Sequence, residues 1–305
     1  MNDDEIILRE FKEAFRKYSK DGVIDLDNRL KHKFVFSVHR LEHIVNEFDG
    51  VIPPNRQSRY IVCLVKKGAG QKSIGHFSFS IGKNTLFCVP KRAINASQYW
   101  SRECSGYHLS FNIDFFLQTA FPRKLIVNKK IFKPSLKPYL ILSTVQMGKL
   151  EIIFEYILEE CKEGFFNTNS ELIAVKTLEL LIVSDRFFTD AQSEGEEIFY
   201  NDVLEKFNEL LDRNFRQHRS VKFYADLLHI HPNHLNYLTQ KHSGLSAKET
   251  INNYILNEAK YLLASSSLTV KEIASELGFE YPDYFSSFFR RNLKMSPIQY
   301  RSKLV

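Results

Sequence analysis

Metal sites and nucleophilic centres are built from clustered cysteine, histidine and carboxylate side chains, and in these 305 residues the four cysteines are widely separated. The four cysteines, Cys63, Cys88, Cys104 and Cys161, form no Cys-x-x-Cys pair and have no histidine spaced as in a zinc site. Three of them lie in apolar or strand-like surroundings, where a reduced cysteine acts as a small hydrophobe. His76 and His108 stand alone and are expected to be structural. The sequence therefore predicts no cofactor, no metal and no catalytic residue. The cationic groups are distributed more unevenly. Residues 196–214 carry six acids against two bases, whereas residues 215–305 carry twelve Lys and Arg against seven Asp and Glu, together with five of the ten histidines. A basic module behind an acidic connector suits a polyanionic partner such as double-stranded DNA.

The elements that must position these groups fall into two classes. Between about residues 34 and 113, short runs of β-forming residues alternate with turn signals. Tyr60–Val65 ends at Lys66-Lys67-Gly68, His76–Ile81 alternates with period two up to Gly82, Thr85–Val89 ends at Pro90, and Gly106–Phe111 follows. Strands at this spacing predict a barrel or sandwich. Beyond about residue 140 the period becomes 3.6, with Leu150, Ile153, Phe154, Ile157, Leu158 and Cys161 on one stripe and Leu172, Val175, Leu178, Leu181 and Ile182 on another. The polar, acidic segment 190–197 reads as a linker. A hydrophobic fraction of 44% supports packed cores, and the apolar runs are far shorter than the roughly 18 residues that span a bilayer. The first residues lack the basic start of a signal peptide, so a cytoplasmic location with no membrane contact is expected.

The last ninety residues contain an internal repeat. Val221, Tyr224, Ala225 and Leu228 mark one helix face, and Val270, Ile273, Ala274 and Leu277 mark the same face 49 residues later. Each is followed by a turn and a second helix opened by a proline, Pro232 and Pro282, with core positions at Leu235 and Leu238 or Phe285 and Phe288. Ser246 and Ser296 cap the helix after each copy. Ser246–Glu249 and Thr269–Glu272 have capping-box spacing, and Gly278 supplies the left-handed residue of a tight turn. Small Ala225 and Ala274 let two helices cross closely. Together these features describe two helix-turn-helix units.

Ile273-Ala274-Ser275-Glu276-Leu277-Gly278-Phe279, Tyr284–Arg291 and Ser296-Pro297-Ile298-Gln299-Tyr300-Arg301 resemble the signature of the AraC/XylS family of transcription regulators, as do Tyr224–Leu228 and Ser243-Gly244 in the first copy. Lys294, Tyr281 and Tyr254 stand where that family often has Gly, Asp and Arg. The resemblance implies a connecting helix over about 246–264 that sets two recognition helices, about 232–242 and 282–292, one DNA turn (roughly 34 Å) apart. It places Asn233, Asn236, Tyr237, Asp283, Ser286 and Ser287 toward base edges. Lys241, Ser246, Arg290, Arg291 and Ser296 would lie at phosphates.

The looser likeness of the N-terminal half is to the cupin-type sensor domains of the same family. The expected fold is thus α+β with two domains: a small cupin-like β-barrel and following helices in residues 1–190, a linker at 191–197, and an all-α tandem helix-turn-helix domain at 198–305. A catalytic cupin needs several His ligands, yet Pro53–Arg59 has none and Asn95 stands where a second-motif His is expected. Arg56, Arg59 and Trp100 are the candidates for binding an anionic or sugar-like small-molecule effector. The reading is a DNA-binding transcription regulator, forming a homodimer through residues 144–190 and meeting RNA polymerase if it is an activator. The alternative is a cupin-type or DNA-repair enzyme fused to the same DNA-binding domain.

Overall fold

The computed structural model describes residues 36–47, 50–118, 126, 129–133, 137–162, 170–191 and 197–303. The N-terminal half is built from two antiparallel sheets. One has the strand order β1 (Phe36–Arg40), β8 (Ser105–Phe111), β3 (Tyr60–Lys67), β6 (Thr85–Val89), β9 (Tyr139–Ile141). The other has the order β2 (Ile52–Arg56), β7 (Ile94–Trp100), β4 (Gly70–Ile74), β5 (Phe77–Ile81). A short helix α1 (Leu41–Glu47) follows β1, and long helices α2 (Thr144–Lys162) and α3 (Ser170–Asp190) follow the sheets. The two sheets face each other across a shared apolar core, as in a small β-barrel.

β3 explains why this layer is stable. Its residues alternate between two cores: Ile61, Cys63 and Val65 face the barrel interior with Phe79, Phe87 and Trp100, while Val62 and Leu64 pack with Leu150, Phe154 and Leu181 of α2 and α3. A strand buried on both faces reads as a continuous apolar run rather than an alternating one, which is why Tyr60–Val65 was legible. β1, β2, β4, β7 and α1 were not. β4 begins at a glycine that looks like the end of a turn, and it carries Gln71, Lys72 and Ser73 in place of β-forming hydrophobics.

The C-terminal half is all helix: α4 (Glu197–Asn214), α5 (Val221–Leu227), α6 (Pro232–Ser243), α7 (Ala247–Ser265), α8 (Val270–Glu276), α9 (Pro282–Leu293) and α10 (Pro297–Ser302). The pairs α5–α6 and α8–α9 are the two helix-turn-helix units, and α7 joins them. Their core contains Phe207 and Leu211 of α4, Tyr224, Ala225, Leu235, Ile251, Ile255, Ala259, Ile273, Ala274, Phe285 and Phe289. Both crossing alanines are fully buried. Capping boxes form at Ser246–Glu249 and Thr269–Glu272, and a third at Ser296–Gln299. The linker assigned to 191–197 lies largely outside the described residues.

Two departures from the family pattern have local consequences. Tyr281 occupies the N-cap of α9 and makes no side-chain cap hydrogen bond, whereas an aspartate would bind an orphan amide there. Lys294 ends α9 at φ 59°, in the left-handed region, where the matching residue after α6 is Gly244 at φ 73°.

Gly278 has φ 72°, and a Cβ there would lie 1.9 Å from the Arg216 carbonyl oxygen; Gly244 has open space around it. Left-handed backbone alone costs an L-residue about 1–2 kcal/mol. Gly244→Ala should therefore lower stability by about that amount, and Gly278→Ala by clearly more, because backbone must move as well. Denaturant unfolding of the two variants checks the order; equal losses would contradict the contact with Arg216.

Candidate nucleic-acid interface

Each recognition helix is presented by its own motif. Ser220 accepts a hydrogen bond from the Phe223 amide to start α5, and His231 Nδ1 accepts from the Asn233 amide (3.2 Å) to start α6. In both copies the buried face of the second helix fixes which residues look outward. Leu235 and Leu238 anchor α6, and Phe285, Phe288 and Phe289 anchor α9. The opposite faces then expose Asn233, Tyr237 and Lys241 on α6, and Asp283, Ser287, Arg290 and Arg291 on α9; Ser286 is half-buried. Tyr281 and Tyr284 are 52% and 62% exposed with their rings perpendicular at 5.3 Å. The motif contained both tyrosines, but reading them as candidates required knowing that the neighbouring Phe residues take the whole buried stripe.

The two units are joined by more than their shared core. Arg219 lies over the Phe279 ring at 3.6 Å and donates to the Leu277 carbonyl (2.8 Å). Burial lowers its guanidinium pKa, an unusual position for a cation in a basic domain. Arg216 donates to the Glu276 carbonyl at 3.0 Å, and Lys248 Nζ to the Arg219 carbonyl at 3.0 Å. The turn before α5 is thus tied directly to the turn after α8.

Several expected site residues have other work. Asn236 is turned toward α7: its Oδ1 accepts from the Ala247 amide at 3.0 Å, one of the orphan donors at that helix start. A bidentate adenine contact needs both ends of the amide, so Asn236 is not free to make it. Ser246 and Ser296 are N-caps whose hydroxyls accept from the Glu249 and Gln299 amides, and Ser246 Oγ also donates to Glu249. Those bonds hold the Glu249 carboxyl below the usual carboxylate range. The three effector candidates do not form one site. Arg56 leaves the barrel and reaches Glu258 of α7; Trp100 is buried among the barrel-core side chains; Arg59 lies near His108.

This is the architecture of a tandem helix-turn-helix domain, with two exposed recognition helices on one rigid block. The helix-turn-helix domain family matches residues 224–303. The HTH-type transcriptional regulator YijO of Escherichia coli is 33% identical over 99 residues, covering 32% of this chain and 35% of that protein. The lactose operon transcription activator of Staphylococcus xylosus is 26% identical over 135 residues, 44% of this chain and 48% of its own. The first relatives are matched over only about a third of their own lengths. Among solved structures, ToxT from Vibrio cholerae aligns over 90% of this chain and 99% of its own at 14% identity with a TM-score of 0.43. Over residues 224–303 the C-terminal half of this chain is thus similar to the helix-turn-helix domains of AraC-type regulators.

Asn236→Ala is expected to destabilise the protein by about 0.5–1.5 kcal/mol through the lost α7 bond and to leave the order of preferred DNA sequences unchanged. Chemical denaturation together with selection from randomised duplexes measures both. A changed base preference at unchanged stability would show that Asn236 swings out to read DNA.

Proposed function

We propose that this protein is a sequence-specific DNA-binding transcription regulator whose barrel responds to a small molecule. Base edges would be met by Asn233, Tyr237, Asp283 and Ser287, with Tyr281 and Tyr284 beside them. Lys241, Arg290 and Arg291 would grip phosphates. The likeness to proteins named as transcription activators supports RNA polymerase as a further partner. Helices α2 and α3 expose Val145, Ile152, Tyr156, Val175 and Ile182 on the side away from the barrel, and such an apolar stripe supports a symmetric dimer.

The observation that carries the reading is the contact between the barrel and the helix that spaces the two motifs. Arg56 Nη2 lies 2.7 and 2.8 Å from the two carboxylate oxygens of Glu258, while the guanidinium sits 4.9 Å from the Tyr261 ring centroid. Glu258 is only 7% exposed. Beside it, Asn257 donates to the carbonyl of Gly75 in the β4–β5 turn. A change of shape in β2 or in that turn is therefore felt directly by α7.

Full-length protein should bind duplex DNA with an affinity that falls linearly with salt on logarithmic axes, and Arg291→Ala should flatten the slope by about one unit without altering sequence preference. Fluorescence anisotropy over a salt series tests this, and salt-independent binding would contradict it. For the interdomain pair, Arg56→Ala leaves a buried carboxylate without its cation. Because Arg56 is itself about a third exposed (36%), the expected coupling to Glu258→Ala in a double-mutant cycle is about 1–3 kcal/mol. Additive losses would mean that the two domains are not coupled through this pair.

A further inference from the structure

Among the described residues, Lys72 and Glu258 are the Lys, Arg, Asp and Glu side chains buried below a tenth, at 3% and 7% exposed. Glu258 has Arg56. Among the described residues no carboxylate pairs with Lys72. It sits on β4 in register with Ser97 of β7 and Phe79 of β5, which places it inside the barrel. Its ammonium donates to Ser97 Oγ at 3.2 Å and lies 4.9 Å from the centre of the Phe87 ring. One hydroxyl and one ring face do not replace the water that a buried ammonium gives up, and burial draws its pKa down to about 8.

His108, paired in register with Cys63 of β3, is pushed down to a pKa of about 3, chiefly by burial. Two further polar atoms in the same region are buried with no hydrogen-bond partner: Trp100 Nε1, a donor, and Asn95 Oδ1, an acceptor. Asn95 pairs in register with Ile74, an interior residue, so it shares the face of Lys72. Buried polar atoms are rarely left unsatisfied in native proteins. A cation, a hydroxyl and an indole N–H, set among Phe79, Phe87 and Trp100, form a complementary surface for an anion with an apolar body.

We propose that the barrel interior around Lys72 binds a small carboxylic acid with an apolar body. Its carboxylate pairs with Lys72 and accepts from the Ser97 hydroxyl, and its apolar body lies among Phe79, Phe87 and Trp100. This assigns an acidic effector to the barrel and rests on the reading of that barrel as the sensor. It also replaces Arg56, which is held by α7, as the anion-binding group.

The test uses full-length protein without DNA and three probes: phenylacetate, its neutral isostere phenylacetamide, and inorganic phosphate. Phenylacetate should raise the melting temperature saturably, by about 4 °C or more at a hundredfold excess over its Kd, while the amide and phosphate leave it unchanged. Lys72→Met removes the cation but keeps the stem. It should melt higher than the wild type without ligand and lose the phenylacetate response. Ser97→Ala, a milder change, should weaken that response about tenfold. The proposal is overturned if phenylacetate acts no better than the amide, if phosphate acts in its place, if the response survives in Lys72→Met, or if that variant folds but melts lower than the wild type. DNA affinity measured in parallel judges the regulator reading separately: a protein that binds DNA yet ignores phenylacetate loses only the Lys72 site.

Discussion

A carboxylate in the middle of α7 is nearly closed off from water, and much of the arrangement of this protein follows from how that charge is met. An isolated buried carboxylate would neutralise or disrupt its surroundings. Glu258 is instead matched by Arg56 from β2, a residue 202 positions earlier in the chain. Burial opposes the guanidinium charge, but Glu258 outweighs it and raises the Arg56 pKa. The pair therefore holds the barrel against the one helix that both helix-turn-helix units share. α7 packs on α6, α8 and α10, so a force applied at Glu258 reaches both motifs through side chains already in contact.

The barrel side of that contact has its own logic. The five-stranded sheet is buried on both faces, by the second sheet on one side and by α2 and α3 on the other. This leaves the four-stranded sheet as the layer whose outer face can meet the C-terminal domain, and β2 and β7 of that sheet do so. The same sheet carries Lys72, Asn95 and Ser97 on its inner face. The interior and the surface docked on α7 are thus two faces of a single layer, which would give the proposed ligand a short physical route to the helix-turn-helix units.

The recognition surfaces are shaped by what the core withholds. Aromatic side chains fill the buried stripe of α9, and this leaves Tyr281, Tyr284 and the two arginines outside. On α6 the shorter anchors Leu235 and Leu238 leave Tyr237 outside but let Asn236 turn back to α7. The two copies share a backbone plan without presenting the same chemistry, as expected if each motif reads a different half of a site.

The repeat, its caps and its prolines were all legible in the chain, because each rests on hydrogen bonds and periodicities that span four residues or fewer. Ser246 with Glu249, Thr269 with Glu272, Gly278 in the turn, and the paired alanines at the helix crossings need no distant partner to be recognised. Strands with continuous apolar runs were legible for a similar reason: burial on both faces leaves its mark on every residue. What the sequence could not determine were the destinations of long polar side chains. Arg56 reads equally well as a ligand contact or a surface charge until Glu258 is placed beside it. Asn236 reads as outward-facing from helix period alone, yet the start of α7 offers its amide oxygen an unsatisfied donor. Lys72 in the run Gly-Gln-Lys-Ser-Ile looks like a solvated turn, and only the pairing of β4 with β7 puts its ammonium inside the barrel. In each case the deciding partner is remote in sequence or on another element, and only the closed tertiary structure brings the two within hydrogen-bonding reach.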